Sequence, residues 1–415
     1  MRHPPGNGGL TVEHMNPRRL VFFLGCLVLT GLPAGPLHAQ SVPPKGTDAT
    51  FDVATWNIEW FGDPQNGPSD DPLQLANVQA VIEQAAVDLW AVQEIADPDD
   101  FDALLAGLGS TYAGLLATES GTQRIGFIYK TGLLRPRNYG HILTDFASDF
   151  AGRPPLQLEA DITLGDTTLT VTFITVHMKA FSDLASYERR LQASQRLKNR
   201  LDFLLPGVPV IVLGDFNDEL LNSITPGRPS PYDNFVQDPD DYFFPTLALE
   251  AAGQATFCSS STCAAGSTID HILITDELVP HYVPGSAERY EALLDALGSY
   301  TVTTSDHLPV VARFDFARAT TTRPIPGVPD GPALTAAPHP FRDRTTLSFT
   351  LARTGAVRLA VYDTYGREVA RLVDRPLPAG FHRVDFDAAG RPSGLYMVYL
   401  RTPNGQTSRP LLHVR

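Results

Sequence analysis

Between Phe51 and Phe316 the chain interleaves short apolar runs of strand length with longer segments of helical period. The runs FDVATW, VDLWAVQ, RIGFIYK, LQLEADIT, TLTVTFITV, VPVIVLG, IDHILIT and LPVVARFDF alternate with LQLANVQAVIEQAA, FDALLAGL and the long DLASYERRLQASQRLKNRLDFLL. Each element must bury one face against another, so interleaving restricts the fold to sheets layered with helices, a mixed α/β or α+β domain. The pattern then breaks. Ala317–Pro340 is rich in Pro, Thr and Gly without apolar period and reads as linker, with the linker proper at 318–333. Beyond it TTLSFTL, AVRLAVYD, HRVDFD and GLYMVYLRT alternate with period two between turns, the mark of a small all-β sandwich over 334–415. A chain of 415 residues with 43% hydrophobic composition has material for both domains. No other repeat, GxGxxG or Walker loop is present.

The amino end reads Arg18-Arg19, then LVFFLGCLVLTGL, then PAGPLHAQS, the order of an export signal cleaved near Ala39. Either Met1 or Met15 is the start. A membrane-spanning helix needs about 20 apolar residues, and no run reaches that length, so the mature chain is expected without a transmembrane segment and as a monomer. In an oxidising compartment Cys258 and Cys263 are expected to form a small surface disulfide, Cys26 leaving with the signal. Formal charge over residues 40–317 is −23, within a chain total of −14. That sign argues against a broad basic face for nucleic acid, so a phosphate substrate would be met through metal ions; acidic surfaces also simply keep exported proteins soluble.

Polar residues of one chemical type recur where the runs end. FDVATWNIEW closes on Asn57 and Glu59, LWAVQE on Glu94, TFITVH on His177, and VPVIVLGDFND on Asp215 and Asn217. Two further pairs, Asp270-His271 and Asp306-His307, precede their runs. If those last two strands run opposite to the first four, all six sites fall on one rim. Oxygen donors such as Glu94, Asp306, Asn57 and Glu59 suit a hard ion, Mg²⁺ or Mn²⁺, with Ca²⁺ an option. Asp215 suits orientation or deprotonation of a water, Asn217 donation to a phosphate oxygen, and His177 and His307 donation to a transition state, with Asp270 holding His307 charged. Singly each has a bland alternative: an Asx turn, a first-turn acid, a structural histidine.

Taken in order, TWNIEW, AVQE, RIGFIYK, VHMKA, LGDFND, IDHILI and SDHLPV resemble the endonuclease/exonuclease/phosphatase superfamily, of DNase I and exonuclease III type, over about residues 47–317. The resemblance implies a four-layered α/β/β/α sandwich of two mixed β-sheets, with Asn57, Glu94 and Asp306 at the metal, Asp215 and Asn217 orienting water and phosphate, His177 and His307 as donors, and Asp270 partnering His307. His271 and Glu59 depart from the pattern, and Arg124 matches a strand that often carries a substrate-binding basic residue. The tail, with VYDTYGREV and SGLYMVYL, is similar to the C-terminal sorting domain of type IX secretion, which implies that machinery as a partner and a secreted or outer-membrane surface-attached protein. The expected activity is a divalent-metal-dependent phosphodiesterase, first a nuclease acting on extracellular DNA or RNA. Phosphatase or phospholipid phosphodiesterase action is the alternative, and a catalytically inactive binding module the rival of another class. The helix carrying Arg189, Arg190, Arg196, Lys198 and Arg200 is either a polyanion stripe or a solvated face.

Overall fold

In the computed structural model, strand β1 (Phe51–Phe61) shows how the layers arise. Its side chains alternate: Phe51 and Val53 enter a core between two sheets, whereas Ala54, Trp56 and Ile58 face a second core against helices. Residues 41–118, 121–316, 334–351, 354–363, 366–378, 380–402 and 405–414 are described; the expected export segment at 1–39 and the expected linker at 318–333 lie outside them.

The first sheet has the order β13 (Glu288–Arg289), β14 (Val310–Phe314), β1, β2 (Leu89–Ile95), β4 (Arg124–Lys130), β3 (Tyr112–Leu116). The second runs β5 (Leu134–His141), β6 (Leu156–Leu164), β7 (Thr167–His177), β8 (Val210–Asp215), β12 (Asp270–Thr275), β9 (Tyr242–Phe243). A two-stranded ribbon, β10 (Phe257–Cys258) with β11 (Gly266–Ser267), stands apart. Helices α1 (Asp71–Ala85) and α2 (Pro98–Leu108) cover the first sheet. Helix α3 (Leu184–Leu204) covers the second through Ala193, Leu197 and Leu201 against Ile174, Val176 and Val212. This is the expected four-layered sandwich of two mixed sheets. The helices start where their sequences dictate: Asp70, Asp97 and Asp183 cap α1, α2 and α3, with a proline in the first turn of the first two.

Each sheet contains one parallel pair, β1/β2 and β7/β8, and β14 and β12 run antiparallel to them. The rim geometry anticipated from the sequence is therefore present. His177 lies in register with Asp215, and Asp215 with Asp270. Gly214 makes that register possible: a Cβ there would stand 2.1 Å from the Val176 carbonyl oxygen.

The tail forms two antiparallel sheets: β15 (Leu334–Ala337), β16 (Arg344–Leu351) and β19 (Gly380–Asp387) in one, and β18 (Glu368–Leu377), β17 (Gly355–Asp363), β20 (Gly394–Thr402) and β21 (Gly405–His413) in the other. Leu347, Phe349, Leu359, Val361, Phe386, Val398 and Leu400 fill the space between them. Leu334–Ala337 is paired strand, so the last part of the Pro/Thr/Gly-rich stretch belongs to the sandwich and not to the linker. Among the described residues no helix is long and apolar enough to cross a membrane.

Candidate active site

The face shared by the two sheets turns polar toward one end. Along β1 it reads Phe51, Val53, Thr55, Asn57; along β7, Val171, Phe173, Thr175, His177; along β8, Ile211, Leu213, Asp215. Period two carries the apolar alternation straight into a site at the mouth of the sandwich. Just beneath it, Thr55 donates to the Gln93 amide oxygen (3.3 Å) and Gln93 donates to Thr175 Oγ1 (3.1 Å), joining the sheets.

Glu94 reaches the mouth by breaking that alternation. Glu94 follows Trp90 and Val92, which face the helices, yet its carboxylate lies 3.6 Å from His177 Nε2 on the opposite sheet. The register of β2 with β4 slips between Val92 and Ile95, and Glu94 sits at φ 63°; the adjoining slip in β1, between Asn57 and Phe61, holds Glu59 at φ 41°. Left-handed backbone at non-glycine residues costs on the order of 1–3 kcal/mol each and persists where surroundings impose it. Trp60, at φ 48°, and Asn217, at φ 53°, are further such positions.

Asp215 is the hub. Asn57 Nδ2 donates to its Oδ2 (3.1 Å), Asn217 donates to it through backbone N (2.8 Å) and Nδ2 (2.9 Å), and His177 Nε2 stands 3.6 Å away. Burial, then the Asp270 charge, push its carboxyl up to about 7. His307 Nδ1 is bonded to Asp270 Oδ2 at 2.8 Å. Burial alone would lower the His307 pKa, but Asp270 and the other acids outweigh it, so the ring is held charged well above its ordinary range. His177 behaves oppositely: burial and the Arg153 charge hold it well below its ordinary range, hence neutral. Asp306 Oδ1 lies 3.9 Å from His307 Nε2, and Glu59 Oε2 accepts from the Asp306 backbone (2.9 Å). Contacts thus run unbroken from Glu94 through His177, Asp215 and Asn57 to Glu59, Asp306, His307 and Asp270.

The ligand atoms of Asp215, Asp270 and His307 lie within 4.8 Å of one another. Because His307 and Asp270 share a proton, that trio is arranged as a relay, and the oxygen-only set of Glu94, Glu59, Asp306 and Asn57 is better suited to a hard cation. The donor chemistry fits such an ion. Burial, then the Asp306 charge, push Glu59 up to about 8; burial raises Asp306 although the charged His307 ring pulls it down, and Asp270 Oδ1 is buried with no hydrogen-bond partner.

Several residues fall elsewhere than the sequence suggests. Arg124 donates to the Ala96 carbonyl (2.9 Å), tying β4 to the loop after β2. Arg153 takes the place beside the site. Its guanidinium bonds the carbonyls of His177 (3.4 Å) and Met178 (3.2 Å), and the charges of Glu94 and Asp215 act on it. It belongs to an irregular loop, where no periodicity marks it. His271 is a buried structural histidine, bonded to Thr246 Oγ1 (3.1 Å) and the Asp218 carbonyl (3.2 Å). The α3 cations form no free stripe: Arg190 is fully buried on Asp218 (2.8 Å), Arg189 bonds the Ser148 carbonyl, Lys198 pairs with Asp202 and Asp238, Arg196 faces Asp149, and Arg200 bonds Gln157. Cys258 and Cys263 are bridged as expected, but both are buried rather than superficial. Their loop buttresses the site, since Cys258 N donates to the Asp306 carbonyl (2.7 Å) and the Phe257 ring packs 5.2 Å from that of His307.

The sequence profile of the endonuclease/exonuclease/phosphatase family matches residues 54–307. Among solved structures, a humanized D. rerio TDP2 carrying 14 mutations aligns at a TM-score of 0.48 and 15% identity, covering 64% of this chain and 99% of that one. An endonuclease/exonuclease/phosphatase family protein from Bacteroides thetaiotaomicron gives 0.44 and 16%, covering 64% and 97%. The human Nocturnin catalytic domain with bound sulfate anion gives 0.45 and 17%, covering 66% and 98%. No curated protein matches the chain.

Proposed function

This chain belongs to the endonuclease/exonuclease/phosphatase family, and from that premise we propose that it is an exported, divalent-metal-dependent phosphodiesterase that hydrolyses nucleic acid. The observation that carries the reading is the coexistence of a charged His307, fixed by Asp270 at 2.8 Å, and a high-pKa Asp215 in one buried cluster. An acid and a base with opposed protonation states are what in-line attack of water on phosphorus needs. Asp215 orients the water and takes its proton. Asn217 positions that carboxylate, and donates to a non-bridging phosphate oxygen by giving up its longer bond to the Met178 carbonyl (3.3 Å). His307 Nε2 gives hydrogen-bond support, as charge grows, to the phosphoryl oxygens, with neutral His177 a second donor on the opposite wall. Glu94, Asp306 and Asn57, with Glu59 beside them, would hold Mg²⁺ or Mn²⁺; when bound, the ion supplies neutralisation of charge on phosphoryl oxygens.

Export through the amino-terminal segment, recognition of the tail sandwich by type IX secretion machinery, and a final place in the medium or on the outer surface belong to the same proposal. The experiment is a substrate panel: the purified mature chain with plasmid DNA, RNA, p-nitrophenyl phosphate and sphingomyelin, each with Mg²⁺ and with EDTA. Metal-dependent cleavage of a polynucleotide, lost in His307→Ala, is expected. Turnover of the monoester or the lipid alone would overturn the nuclease assignment, and no turnover of any phosphoester would leave a binding module.

A further inference from the structure

Immediately beyond His177, the loop Met178–Asp183 holds a bulky aromatic out of the protein. Phe181 is 69% exposed and sits at φ 80°, a region that large side chains rarely adopt. The conformation is imposed from below. Fully buried Arg190 donates from Nη1 to both the Lys179 and Phe181 carbonyls (2.7 Å each), and it is itself anchored on Asp218. The loop's other end is tied to the site, because Met178 N donates to the Asp215 carbonyl (2.8 Å) and Asn217 Nδ2 to the Met178 carbonyl (3.3 Å). The Lys179 ammonium lies over the Phe181 ring, 4.2 Å from its centroid, and the charges of Arg153 and Arg189 reach Lys179. A flat ring with a cation at its face thus stands on the loop that leaves His177. An exposed ring held by a buried arginine is built for a contact, since exposure alone gives no return for the backbone strain.

We propose that Phe181, with Lys179, is a stacking platform for an unpaired base next to the scissile phosphate, so that the substrate is single-stranded or frayed nucleic acid. The inference rests on the phosphodiesterase reading above. A base offers a flat π-face to Phe181, and its phosphate meets Lys179; duplex DNA presents no free face of this kind. A lipid surface is the less suited occupant, because one ring capped by an ammonium offers no contiguous apolar patch for insertion.

The test compares kcat/KM on single-stranded oligothymidylate with that on the same backbone built of abasic residues. The wild-type ratio should be about 5- to 150-fold, the span of one base stacked on an aromatic ring. It should fall close to one in Phe181→Ala and return in Phe181→Trp, with the change mainly in KM. A wild-type ratio of one, or a ratio unaltered by Phe181→Ala, would overturn the platform while leaving hydrolysis intact. So would a Phe181→Ala defect confined to sphingomyelin vesicles. If neither oligonucleotide is cleaved, the nuclease reading falls, and anisotropy of labelled oligonucleotides on His307→Ala decides the platform. A base preference in binding that disappears with Phe181→Ala supports it, and no preference overturns it.

Discussion

Replacing Asp270 by Asn tests the proton relay at its most buried point. Asp270 is fully buried, its carboxylate 2.8 Å from His307 Nδ1, and its charge acts on two groups at once. It raises His307, against the lowering by burial, and it raises Asp215. Without that charge, the lowering by burial is opposed only by the Asp306 and Asp215 charges, and the His307 pKa falls. A lost proton donor is worth about 10²–10⁴-fold, so hydrolysis on the alkaline side should slow by up to that factor. The signs are specific. Asp215 acts when deprotonated and sets the acid limb; His307 acts when protonated and sets the alkaline limb. Both pKa values drop in Asp270→Asn, so the whole bell of log(kcat/KM) against pH moves toward acid rather than only losing height. The assay is a pH–rate profile from about pH 5 to 10 at saturating Mg²⁺ on a chromogenic nucleotide phosphodiester, with a melting curve to confirm folding. A folded variant whose alkaline limb stays in place would refute the relay.

Other substitutions separate site from scaffold. Arg190→Ala leaves Asp218 as an uncompensated buried charge and should cost about 3–5 kcal/mol in denaturant unfolding. Arg153→Ala should lower kcat/KM at least 10-fold while Arg124→Ala stays within about 3-fold, read side by side on one substrate, since the Glu94 and Asp215 charges act on Arg153 whereas Arg124 is tied to the Ala96 carbonyl. Removing the bridge with Cys258→Ser and Cys263→Ser should cost about 2 kcal/mol from loop-closure entropy in thermal unfolding. It should also reduce activity by loosening Phe257 against His307.

The rim was legible because strand alternation is a local property: Val53, Thr55 and Asn57, or Leu213 and Asp215, declare their face by parity. Glu94 was legible only by its type and position. Parity aims it at the helices, and the slipped register that turns it toward His177 depends on the neighbouring strand. Arg153 and Phe181 lie in irregular loops whose placement is set by tertiary contacts, and nothing in their sequence neighbourhood distinguishes them. The α3 cations were ambiguous because periodicity fixes which residues share a face but not what acceptors meet it. The bridge between Cys258 and Cys263 followed from spacing and the expected compartment, whereas its burial depends on the cluster it shares with Tyr290, Leu293 and Leu308.

The central claim is that side chains spread from Asn57 to His307 surround one divalent ion and one phosphoryl group. Anomalous diffraction from crystals soaked in Mn²⁺ and inorganic phosphate measures it directly. The expected result is Mn²⁺ density in the mouth of the sandwich, within about 2.2 Å of oxygens from Glu94 and Asp306, with phosphate in reach of Asn217 and His307. Strong Mn²⁺ density elsewhere, with the mouth empty of both ion and phosphate, would contradict it.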